Sequence, residues 1–274
     1  MGNRLYLECY SGISGDMTVA SLLDLGADAN GLKEVLNNLN VDGFKIDITR
    51  VKKSGLDCCD FNVILDDEHE NHDHDMEYLY GHEHSHDDHH HDDDHHHHQD
   101  GHHHVHRGFN DIKLIIDNST LSENAKKIAT RIFEIIAMAE AKAHGESFEK
   151  VHFHEVGAVD SIVDIIAIAY CIDNLSIDDV IVPYLCEGTG TVRCQHGILP
   201  VPVPAVVNIS SMHDISIKIT DVKGEMVTPT GAAVVAALKT SEVLPESFKI
   251  KKVGLGAGKR NYERAGILRA MIIE

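Results

Sequence analysis

Residues 5–25 read LYLECYSGISGDMTVASLLDL, and residues 44–65 read FKIDITRVKKSGLDCCDFNVIL. In the first stretch Leu5–Glu8 alternates as a strand does. Ser11-Gly12-Ile13-Ser14-Gly15-Asp16 is a Gly/Ser-rich turn. Val19, Leu22, Leu23 and Leu25 then recur at helical spacing, Gly26 interrupts, and Leu32, Val35, Leu36 and Leu39 resume the pattern. This is a strand, a loop and a helix pair. In the second stretch Phe44–Val51 alternates, Ser54-Gly55 makes a turn, and Asp60–Leu65 returns, so an antiparallel pair is expected. Strands and helices are mixed without a regular β-α-β rhythm. The expected fold class is therefore α+β rather than a doubly wound sheet.

The same reading extends downstream. Ile112, Ile115 and Ile116 predict a short helix. Ser122–His144 predicts a longer one, with Ile128, Ile132, Ile135, Ile136 and Ala139 on one face, Ser122-Glu123 as its start and Gly145 as its stop. Val151–His154 alternates briefly. Val159–Leu175 is apolar, with Ile162, Ile165, Ile166, Ala169 and Ile172 facing inward. Val180–Val182 and Ile215–Ile219 predict strands, Glu187–Pro204 a Gly- and Pro-rich loop region, and Pro229–Leu238 an apolar helix. Phe248–Val253 and Ile267–Ile273 predict closing strands.

The 274 residues carry 24 Lys+Arg against 44 Asp+Glu, a formal charge of −20. Much of it sits in one place. Asp66–Arg107 holds 17 His and 14 Asp or Glu with a single Arg, a net −13. Residues 1–65 and 108–274 are expected to form one globular unit, and 66–107 a disordered His/Asp-rich insert with almost no apolar content. Imidazole beside carboxylate suits Ni, Zn, Cu and Co, so His82, His84, His86, His89, His90, His91, His95, His96, His97 and His98 are candidate metal ligands. A segment of this composition holds no fixed geometry, so catalysis is expected elsewhere. A surface this acidic argues against nucleic acid or an anionic membrane as partner. No apolar run reaches the roughly 18 residues that span a bilayer. The six Cys form no C-x-x-C pair, which suggests free thiols and a cytoplasmic protein.

Four constellations carry chemistry. In H-F-H-E-V-G-A-V-D-S-I-V-D (152–164), an extended start puts His152 and His154 on one face. A helix beginning near 157 stacks Asp160 over Asp164. With Glu155, this mixture suits a borderline divalent metal. The bland alternative is an acidic helix start beside a surface His pair. Asp164 inside I-V-D-I-I argues for more, because a buried unpaired carboxylate is costly. The loop Ser11, Ser14, Gly15, Asp16 exposes amides at a helix start, a cradle for an anion bracketed by Glu8 and Asp16, or else a plain turn capped by Asp16. Thr228-Pro229-Thr230-Gly231 is a second capped helix start that could hold a phosphate. Glu187-Gly188-Thr189-Gly190 with His196-Gly197 suggests close backbone approach and one further ligand, His196. Gly254-Leu-Gly-Ala-Gly-Lys259 is too short between its glycines for a phosphate-binding P-loop.

Taken together, YLECYSGISGDM (6–17), HFHEVGAVDSIVD (152–164), GTGTVRCQHGILPVP (188–202), TPTGAA (228–233) and the His-rich insert resemble the LarC family of nickel-insertion proteins. Glu8 stands where that pattern has Asp. The resemblance implies insertion of Ni(II) into pyridinium-3,5-bisthiocarboxylic acid mononucleotide to give the nickel-pincer cofactor, with two nickel–sulfur bonds and one nickel–carbon bond. It implies CTP with a divalent metal for the complete protein, a C-terminal CTP-associated domain supplied as a separate chain, a cofactor-accepting apo-enzyme and a homo-oligomer. His152, His154, Asp160 and Asp164 would then share nickel holding and removal of the ring proton, while Ser14 and Thr228–Gly231 hold the phosphate. The competing expectations are a nickel or zinc storage protein or metallochaperone without catalysis, and a metal-dependent hydrolase.

Overall fold

The computed structural model describes residues 2–66, 107–150, 159–194 and 197–274. The His-rich insert, His152, His154, Glu155 and His196 lie outside the described residues. Ten strands and seven helices are described, and the class is α+β as expected. Six strands build the main sheet in the order β2-β3-β9-β10-β1-β4: β1 (Asn3–Glu8), β2 (Phe44–Lys53), β3 (Leu56–Leu65), β4 (Ile177–Ile181), β9 (Ile250–Ala257) and β10 (Ile267–Ile273). β1 runs antiparallel to β10 and parallel to β4, and β3 pairs parallel with β9. The β2–β3 hairpin forms as expected, from Phe44↔Leu65 to Lys53↔Leu56. Its two-residue turn has both residues at positive φ, Ser54 at 49° and Gly55 at 84°, the geometry that matches strand twist.

Helices cover one face of this sheet. α1 (Gly15–Asp24) and α5 (Val159–Asn174) lie against it, joined by α2 (Ala29–Asn37), α3 (Phe109–Asn118), α4 (Glu123–His144), α6 (Pro204–Met212) and α7 (Pro229–Leu238). Local signals end these helices where the sequence predicts. Gly26 takes φ 113° just past α1. Ser122 accepts from the Ala125 N–H at α4, and Gly145 stops it at φ 68°. The inward faces of α4 and α5, including Ile132, Ile135, Ile136, Ile162, Ile165 and Ile166, are fully buried in one apolar core.

One expectation is corrected. The Glu187–Pro204 region is not loop: it contains most of β5 (Leu185–Thr189), then β6 (Thr191–Cys194) and β7 (Gly197–Pro200). β5 pairs with β8 (Ile217–Lys223), and β6 with β7. These strands are short, and β5 finds its partner β8 far along the chain, so local pattern hides them. The strand expected over Phe248–Val253 is β9, which runs on through Gly254 and Gly256 to Ala257. Its glycines alternate because α1 rests on them. A Cβ at Gly254 would meet the Ser21 carbonyl oxygen at 2.1 Å, and one at Gly256 the Met17 carbonyl oxygen at 2.1 Å. Period-two glycine on a strand marks close backbone approach, and here it seats α1 along its length, from Met17 to Leu25.

Candidate functional site

The site is built around the start of α1. Ser14 is the N-cap residue, extended at φ −136°, and makes no capping hydrogen bond of its own. Its hydroxyl donates instead to the Asp16 carboxylate, which also accepts from the Met17 N–H at 2.8 Å. Asp16 therefore lies inside the first turn and is not the cap. Gly15 is buried, and a Cβ there would stand 2.3 Å from Asp164 Oδ2. The missing side chain is what lets a carboxylate of α5 reach the beginning of α1. Helix α5 stacks Asp160 one turn before Asp164, as expected, and Asp164 has both Asp160 and Asp16 as acidic neighbours.

Three carboxylates so close, on the rim of an apolar core, cannot all ionise freely. Burial pushes the Asp164 carboxyl well above the usual Asp range, and the charges of Asp16 and Asp160 push it further; Lys259 opposes them. Asp164 Oδ1 is buried with no hydrogen-bond partner among the described residues. Burial also raises Asp16, against the Ser14 hydroxyl, Lys259 and the Met17 amide. Lys259 reaches the site from the turn after β9, with Nζ 2.9 Å from Asp60 Oδ1 and 3.0 Å from the Phe61 carbonyl oxygen. Asp60 and Lys259 were not singled out as site residues in the sequence. The alternating glycines before Lys259 are the signal that would have found it, because they place the strand under α1. Among the described residues no three His, Cys, Asp or Glu side chains form a group able to hold a metal ion.

The second cradle joins the first. Ile13 donates to the Met226 carbonyl oxygen at 3.0 Å, and the Thr228 N–H donates to the Ile13 carbonyl oxygen at 3.1 Å. Thr228 caps α7 by accepting from the Gly231 N–H at 3.1 Å, with Pro229 in the first turn as expected. A Cβ at Gly12 would collide with the Met226 carbonyl oxygen at 1.9 Å, and one at Gly231 with the Ile13 carbonyl oxygen at 2.3 Å. Ser11, Ser14, Gly15 and Asp16 are thus laced to Thr228, Thr230 and Gly231. Two helix N-termini meet across Ile13, each favouring negative charge.

Glu187 underlies this lacing. It is completely buried, and its Oε1 accepts from the N–H groups of Gly188 at 2.7 Å, Met226 at 2.7 Å and Val227 at 3.2 Å. Burial raises its pKa despite these donors and the nearby Arg260. Arg260 itself pairs with Glu225 at 2.9 Å, and the hydroxyl of Tyr262 donates to the Glu225 carbonyl oxygen at 2.5 Å. In the sequence Glu187 reads only as the edge of a Gly-rich loop. Glu8, expected to bracket the Ser11–Asp16 loop, is instead ion-paired with Arg269 at 2.5 Å across β1 and β10.

Residues 5–274 match the family described as nickel insertion protein. The chain belongs to that family. It is 54% identical over 274 residues to the pyridinium-3,5-bisthiocarboxylic acid mononucleotide nickel insertion protein of Alkaliphilus metalliredigens, covering 100% of this chain and 61% of the relative. Proteins of the same description from Clostridium acetobutylicum and Acetivibrio thermocellus are 46% and 40% identical, over 98% of this chain and 64% and 60% of theirs. The chain therefore spans about three fifths of the length of these relatives. No solved structure matches it. No described helix is long and apolar enough to cross a membrane.

Proposed function

We propose that this protein inserts nickel into pyridinium-3,5-bisthiocarboxylic acid mononucleotide, the substrate named for its relatives. The observation that carries the reading is the buried Asp164 carboxyl between Asp160 and Asp16, beside two helix starts tied together through Ile13. The reaction joins Ni(II) to two thiocarboxylate sulfurs and one ring carbon, and the proton on that carbon must leave as the nickel–carbon bond forms. Nickel is the cargo here and must arrive on ligands it can leave. Imidazole and carboxylate suit that better than a thiolate cage. His152, His154, Glu155 and Asp160, with His196, are assigned to nickel holding. Asp164 is assigned to take the ring proton, a step that needs its ionised carboxylate. Ser11, Ser14, Gly15, Thr228, Thr230 and Gly231 are assigned to the phosphate, and Asp16 orders the Ser14 hydroxyl.

The further assignments rest on the family resemblance. They are CTP with a divalent metal, a C-terminal portion acting with this one, transfer to an apo-enzyme, a homo-oligomer and a cytoplasmic setting. The test is single-turnover metallation at saturating nickel, with the C-terminal portion of a relative supplied as a separate chain. His154→Ala and Asp160→Ala should each abolish insertion, with thermal melting of each variant as the control for the fold. Near-normal rates in both variants would refute the assignment.

A further inference from the structure

At the end of β1 the chain leaves Tyr10 45% exposed, directly before the Ser11–Asp16 loop. Its ring stacks on that of Tyr184, with centroids 5.5 Å apart and planes 8° from parallel. The Cys186 N–H donates to the Cys9 carbonyl oxygen at 3.2 Å, which ties the two tyrosine-bearing segments together. Lys218, exposed on β8, lies with Nζ 5.5 Å from the centre of the Tyr184 ring. The hydroxyl of Tyr10 lies 3.4 Å from that of Tyr6, and the charge of Arg269 reaches both. Neither the carboxylate group nor the amide cradles use these side chains.

Burial does not explain the pair, because Tyr10 keeps nearly half its surface in water. A tyrosine face in water offers a negative π surface, which attracts cations and electron-poor rings. A mononucleotide carries its ring and its phosphate on opposite ends of a ribose. This chain places an aromatic ledge at Tyr10 and a phosphate cradle at Ser14–Gly15, within one loop.

We propose that the outer face of Tyr10, backed by Tyr184, forms the stacking platform for the positively charged pyridinium ring of the substrate, with Lys218 nearby for an anionic ring substituent. The assignment rests on the nickel-insertion reading, which supplies the ring. It makes Tyr10 a specificity determinant: the ledge selects a charged, planar ring over a neutral one.

The experiment is a calorimetric titration of the full chain with nicotinic acid mononucleotide, a pyridinium mononucleotide, without nickel. The chain has no Trp and seven Tyr, so intrinsic fluorescence reports the tyrosines directly and gives a second reading. Tyr10→Ala should weaken binding about tenfold, the scale of one lost ring stack. Tyr10→Phe, which keeps the ring, should stay within about threefold. The dihydro form of the probe, with an uncharged ring, should bind the parent weakly and Tyr10→Ala equally weakly. Parental affinity in Tyr10→Ala, with unchanged melting, would overturn the platform and leave the function reading standing. Absence of binding by the parent chain would overturn the function reading and the platform together. Equal binding of charged and dihydro probes would overturn the selection by charge.

Discussion

Glu187→Ala removes one acceptor from three backbone donors at once. The bonds measure 2.7, 2.7 and 3.2 Å, and the carboxylate is completely buried. A hydrogen bond to a charged group contributes about 1.5–3 kcal/mol, and a buried donor left unmade costs about 1–3 kcal/mol. Two good bonds and one long one then give a gross loss of about 4–5 kcal/mol. Part is returned, because burial already raises the Glu187 pKa and holding it ionised is unfavourable. A net loss of about 3 kcal/mol is expected at neutral pH, a large share of the roughly 5–15 kcal/mol that holds a typical domain. Glu187→Gln keeps a carbonyl acceptor and should lose about 1 kcal/mol. The sign with pH follows from the raised pKa. The folded state binds the proton more tightly, so this group's contribution is fullest below the ordinary Glu range and declines as pH rises through the folded value. The deficit of the alanine variant should therefore widen as pH falls. Urea unfolding followed by circular dichroism, with an unchanged slope, measures the loss. Because Met226 and Thr228 carry the lacing to Ile13, affinity for a pyridinium mononucleotide should fall with it. An alanine variant within about 0.5 kcal/mol of the parent would show that Glu187 does not hold this frame.

Asp164→Asn should stabilise the fold at pH 7 by roughly 0.5–2 kcal/mol while metallation fails, as expected where function holds a charge in an unfavourable place. Its advantage should close as pH drops below about 4, where the parent carboxyl is neutral in both states; a less stable variant at pH 7 would refute the account of the carboxylates. Deleting residues 66–107 should lower the number of Ni(II) bound but not the insertion rate at saturating nickel, and binding by the intact chain should weaken below about pH 6.5 as imidazoles protonate. Equal nickel stoichiometry with and without the insert would refute its role as a collector, whereas loss of all nickel-dependent behaviour would favour storage.

What local sequence determined about this chain is what short-range physics controls. Ser122 and Gly145 bound α4, Thr228 and Pro229 open α7, and Ser54-Gly55 closes the β2–β3 hairpin, each through contacts within a few residues. The i, i+4 placement of Asp160 and Asp164 was legible for the same reason, as were both amide cradles taken singly. Only the tertiary structure decided that these pieces meet. Ile13 and Met226, or Gly15 and Asp164, are far apart along the chain, and no periodicity encodes their contact. Glu187 reads as loop in a Gly-rich stretch, yet it becomes a buried acceptor because β5 finds its partner in β8. Lys259 reads as the end of a failed phosphate loop until β9 lies under α1. The physical reason is common to all four: a strand gains its hydrogen bonds, and a buried charge its partners, from segments that only the folded chain brings near.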